Sequence, residues 1–331
     1  MSNIELSIIV CTRNRPEKCQ DCISHLLRSL RNSPLSAINS EIIIIDQSDK
    51  TQVNKNTDLA LWQIIYVRMK CVGISKARNL GIRLARGKYL LFTDDDCKVD
   101  ENWVAKIYDK FRIRPEIDII FGKVEADPRT QIYSFIHYER KHKCGTSYVA
   151  ISQNGDRCFA VFLGPREKIF NEPCLPHANF GSSNNMACRR EVFKYAGYFS
   201  EHLGAGTWGF SAEDTEIQYR WLLKRMNILY SPEIKLYHNN WLSNDKAIQQ
   251  VNRYLSGMAT VFTFYLLRGN RCAMSCWLYT MKQYVLAIHN CKGNNVKDTA
   301  TKVVVRWFSL GKGLLNGIRL LIVFRSIPRL G

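Results

Sequence analysis

Three consecutive carboxylates, Asp94, Asp95 and Asp96, follow the apolar run Tyr89-Leu-Leu-Phe-Thr93. Like charges this close raise one another's pKa and cost stability unless a cation answers them. A hard divalent ion does so, and Mg²⁺ or Mn²⁺ would bridge such carboxylates to a diphosphate. A solvated acidic loop is the plainer alternative, but placement at the carboxyl end of a predicted strand favours the metal. Over a hundred residues later, Glu213-Asp214 stands between a glycine-rich loop and a helical stretch. Such a pair either caps the helix or supplies a general base that deprotonates an acceptor hydroxyl.

The preceding loop, Leu203-Gly-Ala-Gly-Thr-Trp-Gly209, matches G-x-G-x-x-G without a strand-like run ahead of it. It reads as a substrate loop with one aromatic, Trp208, rather than as a dinucleotide fingerprint. His238 ends an apolar segment; it is either a structural histidine or a third ligand converging on Asp96. Cys19 and Cys22 form a C-x-x-C with no second pair and no histidine partners, so the twelve cysteines read as ordinary thiols.

These residues need elements to hold them. Leu6–Val10, Glu41–Asp46, Gln63–Val67 and Tyr89–Thr93 are short apolar runs rich in β-branched residues, as in strands buried on both faces. Each runs into polar residues, and helical stretches follow the first at Pro16 and the third at Gly73–Ala85. Strand, loop and helix alternate with a period near 30 residues, which predicts parallel β-α-β units. A ligand crevice is expected where the strands' carboxyl ends meet. Residues 125–180 are rich in Gly and Pro and read as loops and short strands around a site. A short helix is predicted over Arg190–Gly197 and another over Thr215–Met226. Beyond Trp241 the pattern turns helical over Val251–Leu267, Cys272–His289 and Val303–Phe324.

Composition bounds the function. The 331-residue chain carries 47 Lys+Arg against 29 Asp+Glu, a net charge of +18 that favours anionic partners. From Lys246 onward there are 13 basic residues and one acidic residue, Asp298, so +12 of that charge lies there. The apolar stretch Val303–Phe324 with Arg306, Lys312 and Arg319 suits a helix lying in a membrane interface; a packed helix with solvated cations is the alternative. No uninterrupted apolar run reaches the ~18 residues of a membrane span. No signal peptide precedes the first strand, so a cytoplasmic location is expected, at most peripheral on the inner face of the membrane.

The succession Ser7-Ile-Ile-Val-Cys-Thr-Arg-Asn-Arg15, Ile45-Asp-Gln-Ser48, Gly73-Ile-Ser-Lys-Ala-Arg-Asn-Leu-Gly81, Gly87-Lys-Tyr-Leu-Leu-Phe-Thr-Asp-Asp-Asp96, Gly204-Ala-Gly-Thr and Glu213-Asp-Thr-Glu216 resembles glycosyltransferase family 2 over residues 5–240. The resemblance implies a GT-A fold, an α/β architecture with a Rossmann-like, mostly parallel sheet, here with a helical C-terminal extension. It implies an inverting, non-processive enzyme of bacterial type that takes a UDP- or GDP-sugar as donor, needs Mn²⁺ or Mg²⁺, and glycosylates a glycan or lipid-linked acceptor in glycan, polysaccharide or glycolipid synthesis.

Carried over residue by residue, Thr12, Arg13, Asp46 and Arg78 match positions around the nucleotide, with Asp94 and Asp95 on its ribose and phosphate side. Asp96 matches the metal ligand and His238 a late second one. Asp214 matches the catalytic base, Glu213 its neighbour near the acceptor, and Asn184 and Asn185 the segment beside the donor sugar. One departure stands out. Polymer-synthesising relatives carry Gln-x-x-Arg-Trp, whereas Gln218-Tyr-Arg-Trp221 is one residue short.

The expected division is a transferase domain over 1–241, with a nucleotide-binding half 1–110 and an acceptor half 111–241, and a basic helical region over 242–331. An anionic membrane surface is a candidate partner, and no nucleic acid is expected. Two other readings stay open. A nucleotidyltransferase of similar fold would need a phosphate loop after the first strand, which this chain lacks; a non-catalytic basic module binding membrane or nucleic acid would leave the carboxylates unexplained.

Overall fold

The computed structural model describes residues 4–35, 39–50, 62–127, 132–138, 146–152, 154, 156–172, 180–289 and 296–323. In chain order the first elements are β1 (Leu6–Thr12), α1 (Pro16–Arg31), β2 (Ser40–Asp46), β3 (Gln63–Arg68), α2 (Ile74–Leu84), β4 (Tyr89–Asp94), β5 (Cys97–Val99) and α3 (Trp103–Ile113). Then come β6 (Ile119–Ala126), β7 (Ile132–Tyr138), β8 (Thr146–Ser152), β9 (Arg157–Phe162), β10 (Lys168–Phe170), a 3-10 turn at Ser183–Asn185, β11 (Met186–Arg189), α4 (Glu191–Ala196), α5 (Glu213–Leu223) and β12 (Ile228–His238). Three helices close the described chain: α6 (Asn244–Leu267), α7 (Cys272–His289) and α8 (Val296–Val323).

Strands β3, β2, β1 and β4 lie side by side and parallel, as the four apolar runs predict. Both faces of β1 and β2 are covered. Alternation divides their side chains: Ile8, Val10 and Ile44 pack toward α1 and α3, while Ile9, Ile43 and Ile45 pack toward α2, α4 and α5. Beyond β4 the sheet is mixed, because β11 pairs antiparallel with both β4 and β6. Residues 125–180 hold more regular structure than loops and short strands: β7, β8 and β9 form an antiparallel meander with β7 and β8 each seven residues long. Pro128, Gly145, Gly155, Pro173 and Pro176, which suggested loops, lie outside the described residues.

Helix α5 starts at Glu213, two residues earlier than the periodicity suggests, and ends at Leu223 because Arg225 turns left-handed at φ 58°. The predicted terminal helices are also longer than their apolar cores, beginning at Asn244 and Val296; Phe324 lies outside the described residues. Val261, Phe262, Tyr265, Ala273, Cys276 and Leu320 belong to the same apolar cluster as Phe92 and Trp221, so α6–α8 share the core of the sheet's α5 face. α8 packs on α6 at close range. A Cβ on Gly313 would lie 2.6 Å from the Ser256 carbonyl oxygen, and one on Gly317 would lie 2.7 Å from Thr263 Cβ.

Candidate active site

The parallel strands end level with one another, Thr12 beside Asp46 and Cys11 beside Asp94. Their carboxyl ends therefore deliver Thr12, Asp46 and the aspartate triplet to one edge. Asp46 is fully buried, its carboxylate accepting the Ser48 amide at 2.8 Å and the Tyr66 hydroxyl. Asp95 accepts the Thr12 hydroxyl at 2.7 Å. Arg15 donates to Asp95 at 3.0 Å and to Asp96 at 2.8 Å from the loop between β1 and α1. Arg13 is exposed, and no hydrogen bond holds it among the described residues. Arg15 rather than Arg13 thus meets the triplet, which the sequence reading missed.

Register places His238. Strands β12 and β5 pair antiparallel with His238 opposite Cys97, and the Asn239 amide donates to the Asp96 carbonyl at 2.7 Å. The His238 Nε2 consequently lies 3.4 Å from Asp96 Oδ1, with its Nδ1 3.2 Å from the Phe159 carbonyl. Burial opposes charge on Asp96, but His238 and Arg15 outweigh it and hold the carboxyl well below its usual range. Asp95 is pushed the other way, up to about 6, by burial and by the charge of Asp96.

Asp96, Cys97 and His238 offer ligand atoms within 4.8 Å of one another. Burial pushes the Cys97 thiol up, while Asp96 and His238 offer a carboxylate oxygen and a ring nitrogen. That set suits Mn²⁺ or Mg²⁺ once phosphate oxygens complete it.

Arg78 joins this edge to the far side. Buried on α2, it donates to Asp94 at 3.2 Å, to Glu213 at 3.1 Å and to Asp214 at 3.3 Å. Its guanidinium is held charged against burial by those carboxylates. Asp214 is not a helix cap. It lies in the first turn of α5 behind Ala212, whose left-handed φ of 67° makes the corner, and its carboxylate accepts both the amide and the hydroxyl of Ser183. Acid in a helix's first turn also suits the helix dipole. Burial and the neighbouring charge of Asp214 push Glu213 up to about 7.

The 3-10 turn splits its two asparagines. Asn185 is committed to packing: its amide donates to the Lys123 and Ile234 carbonyls and accepts from Trp103 Nε1 at 2.8 Å. Asn184 is buried with an Oδ1 that has no partner among the described residues. Trp208 turns toward α8, where the Arg319 guanidinium lies 4.5 Å from its ring centre and Asn316 donates to its carbonyl at 3.0 Å. Gln218 and Arg220 are spent on the fold. Gln218 holds the Phe180 amide and the Gly181 carbonyl, and Arg220 binds Glu216 and the Ala196 carbonyl.

The chain is 26% identical over 191 residues to "Glycosyltransferase GlyG" of Streptococcus pneumoniae, covering 55% of this chain and 61% of that protein. Against the hyaluronan synthase of Pasteurella multocida it is 26% identical over 230 residues, covering 66% of this chain and 23% of the relative. The chain therefore spans less than two thirds of the length of either relative. Among solved structures it is similar to the mannosyltransferase PcManGT from Pyrobaculum calidifontis, which is in complex with GDP-Man and Mn²⁺. That likeness has a TM-score of 0.54 at 11% identity, covers 95% of this chain and 87% of that one, and concerns the fold alone. The architecture is that of the GT-A fold, with helices added at its C-terminal end. The model of glycosyl transferase family 2 matches residues 7–195, more than half of the 331-residue chain and the stretch that includes the aspartate triplet. The chain belongs to glycosyl transferase family 2.

Proposed function

We propose that this protein transfers a sugar from a UDP- or GDP-sugar to an acceptor hydroxyl with inversion, in a metal-dependent step of glycan, polysaccharide or glycolipid synthesis. The observation that carries the reading is Arg78, which ties Asp94 at the end of β4 to Glu213 and Asp214 on α5. One guanidinium thus spaces a diphosphate-side carboxylate from a candidate base on the opposite wall.

Asp214 takes the proton from the acceptor hydroxyl as its oxygen bonds to the anomeric carbon. The carbon–oxygen bond to the nucleoside diphosphate breaks on the opposite face. Ser183 and Arg78 hold Asp214 in place, while Asn184 meets a donor-sugar hydroxyl. Thr12, Asp46, Arg78, Asp94 and Asp95 line the nucleotide, joined by Arg15 and approached by Arg13. Glu213 and Trp208 border the acceptor, and Asn185 supports the turn from behind. Asp96 and His238 would hold a divalent cation, which when bound neutralises charge developing on the diphosphate.

The reading takes 1–241 as the transferase region, with halves meeting near 110, and 242–331 as a helical region packed into its core; it places the work in the cytoplasm, at most at the inner face of the membrane, on a glycan or lipid-linked acceptor. Calorimetry of UDP and GDP with Mn²⁺, with and without chelator, tests it. Binding of one nucleotide should require Mn²⁺ in the wild type, and Asp96→Ala should lose that Mn²⁺-dependent binding, because the diphosphate would meet the carboxylates without a cation to bridge them. Unchanged Mn²⁺-dependent affinity in the variant would remove Asp96 from the metal site.

A further inference from the structure

Helix α8 has two unlike faces. Leu310, Gly313, Gly317 and Leu320 are buried, with Gly313 and Gly317 against α6. On the other side Val304, Trp307, Phe308, Leu315, Ile318 and Ile322 are exposed, from 45% for Ile318 to 67% for Leu315. At 3.6 residues per turn, positions 304, 308, 315 and 322 fall within roughly 40° of one another. They form one stripe along the helix. Met274, Leu278 and Val285 on α7 are exposed at the same spacing. Large apolar side chains exposed in a row along one helix face mark an interaction site.

Charge selects the occupant. From Lys246 onward the chain holds 13 basic residues and one acidic residue. A second copy docked through the stripe would bring the Lys312 and Arg319 pair of each copy toward like charge. An anionic lipid surface satisfies both features, with apolar and aromatic side chains at the acyl boundary and cations at the headgroups. Lys312 and Arg319 lie on the edge of the stripe that faces the glycine loop. Lys312 Nζ is 4.9 Å from the Phe308 ring centre and 5.8 Å from that of Phe210, and Arg319 lies over Trp208. No described helix is long and apolar enough to cross a membrane, so the mode is adsorption.

We infer that α8 seats its exposed stripe on an anionic bilayer, with Lys312 and Arg319 at headgroup level, and thereby holds the Gly204–Phe210 loop at the lipid surface. The acceptor is then one carried on a lipid. This acceptor class rests on the glycosyltransferase reading, whereas the docking itself does not.

The test uses the full chain and vesicles of phosphatidylcholine, with or without phosphatidylglycerol. Co-sedimentation should show capture by the anionic vesicles alone, weakened by salt. The triple variant Trp307→Ser/Phe308→Ser/Leu315→Ser changes only exposed positions, and circular dichroism checks its fold. Its capture should fall by at least ~10-fold, since most of the apolar contribution is removed. Absence of capture at low salt overturns the docking, as does equal capture of wild type and variant. A wild-type dimer in light scattering that the variant dissolves also overturns it, in favour of a second copy. UDP and GDP binding with Mn²⁺ is measured in parallel. Nucleotide binding without vesicle capture sinks the docking and leaves the transferase reading standing; capture without nucleotide binding sinks the transferase reading instead.

Discussion

Asp214 and Glu213 are adjacent in sequence and share Arg78, yet their surroundings differ. Asp214 is fixed by Ser183 from the 3-10 turn, which suits the base role proposed for it. Asp214→Asn should lower turnover by at least ~10²-fold while nucleotide affinity stays near wild type, because the lost proton acceptor acts in the transition state. Steady-state kinetics beside calorimetry checks this, and wild-type turnover would move the base elsewhere. Glu213 makes a separate prediction. Its carboxyl rises from 4.5 to about 7 on folding, so between those values the folded chain binds the proton that the unfolded chain has lost. Stability from this group is therefore lost as pH rises through that window. Glu213→Gln should flatten that decline, so melting curves of wild type and variant should diverge between pH 5 and 8; parallel curves would show that Glu213 carries no such strain. Of the site residues, the triplet and Glu213-Asp214 could be read from type and spacing. Arg15 could not: Thr-Arg-Asn-Arg-Pro offers two arginines in one loop, and only the folded loop turns the second one inward.

At the scale of elements, His238 shows what pairing contributes. Leu236-Tyr-His238 alone leaves His238 either structural or a ligand converging on Asp96, and antiparallel pairing of β12 with β5 makes the two neighbours. The four parallel strands were readable because burial on both faces leaves unbroken apolar runs. The β7–β9 meander was not, because Ile132–Tyr138, Thr146–Ser152 and Arg157–Phe162 show no clean alternation, and their antiparallel pairing is set by register between strands. The seam between α6 and α8 gives a direct test. Gly317→Leu places a branched side chain where a Cβ would already meet Thr263 at 2.7 Å. Differential scanning calorimetry should show a loss of about 1–3 kcal/mol, typical of overpacking. An unchanged melting temperature would mean that α8 can lift away from α6 without cost.

For the whole molecule, the C-terminal helices are part of the enzyme's core. Tyr265 on α6 donates to Glu216 on α5 at 2.7 Å, and Tyr219 on α5 donates to Asn270 at 2.7 Å. Ala273, Cys276 and Leu320 complete the cluster that contains Trp221. Ending the chain before Cys272 should therefore destabilise residues 1–271, exposing that cluster and producing aggregation rather than a trimmed, stable nucleotide-binding unit. Gel filtration and thermal melting of the truncated protein decide this; a monodisperse product with the wild-type melting temperature would make the helices an independent appendage. The charge asymmetry and the core thus overlap, since the +12 segment also buries side chains against α5.

By itself the sequence determined the local terms. Apolar runs of β-branched residues specify buried parallel strands, three adjacent carboxylates demand a cation, and the order of motifs along the chain identifies the family. Each of those follows from neighbours within a few residues or from a pattern held over the chain. Tertiary structure alone decided the rest: which arginine answers the triplet, which asparagine is spent on packing, that Asp214 is held by Ser183 and is not a cap, and that the basic tail leans on the Trp208 loop. These depend on strand register and helix packing between residues up to more than two hundred positions apart, such as Lys18 donating to the Asn239 carbonyl, and local composition carries no record of such distances.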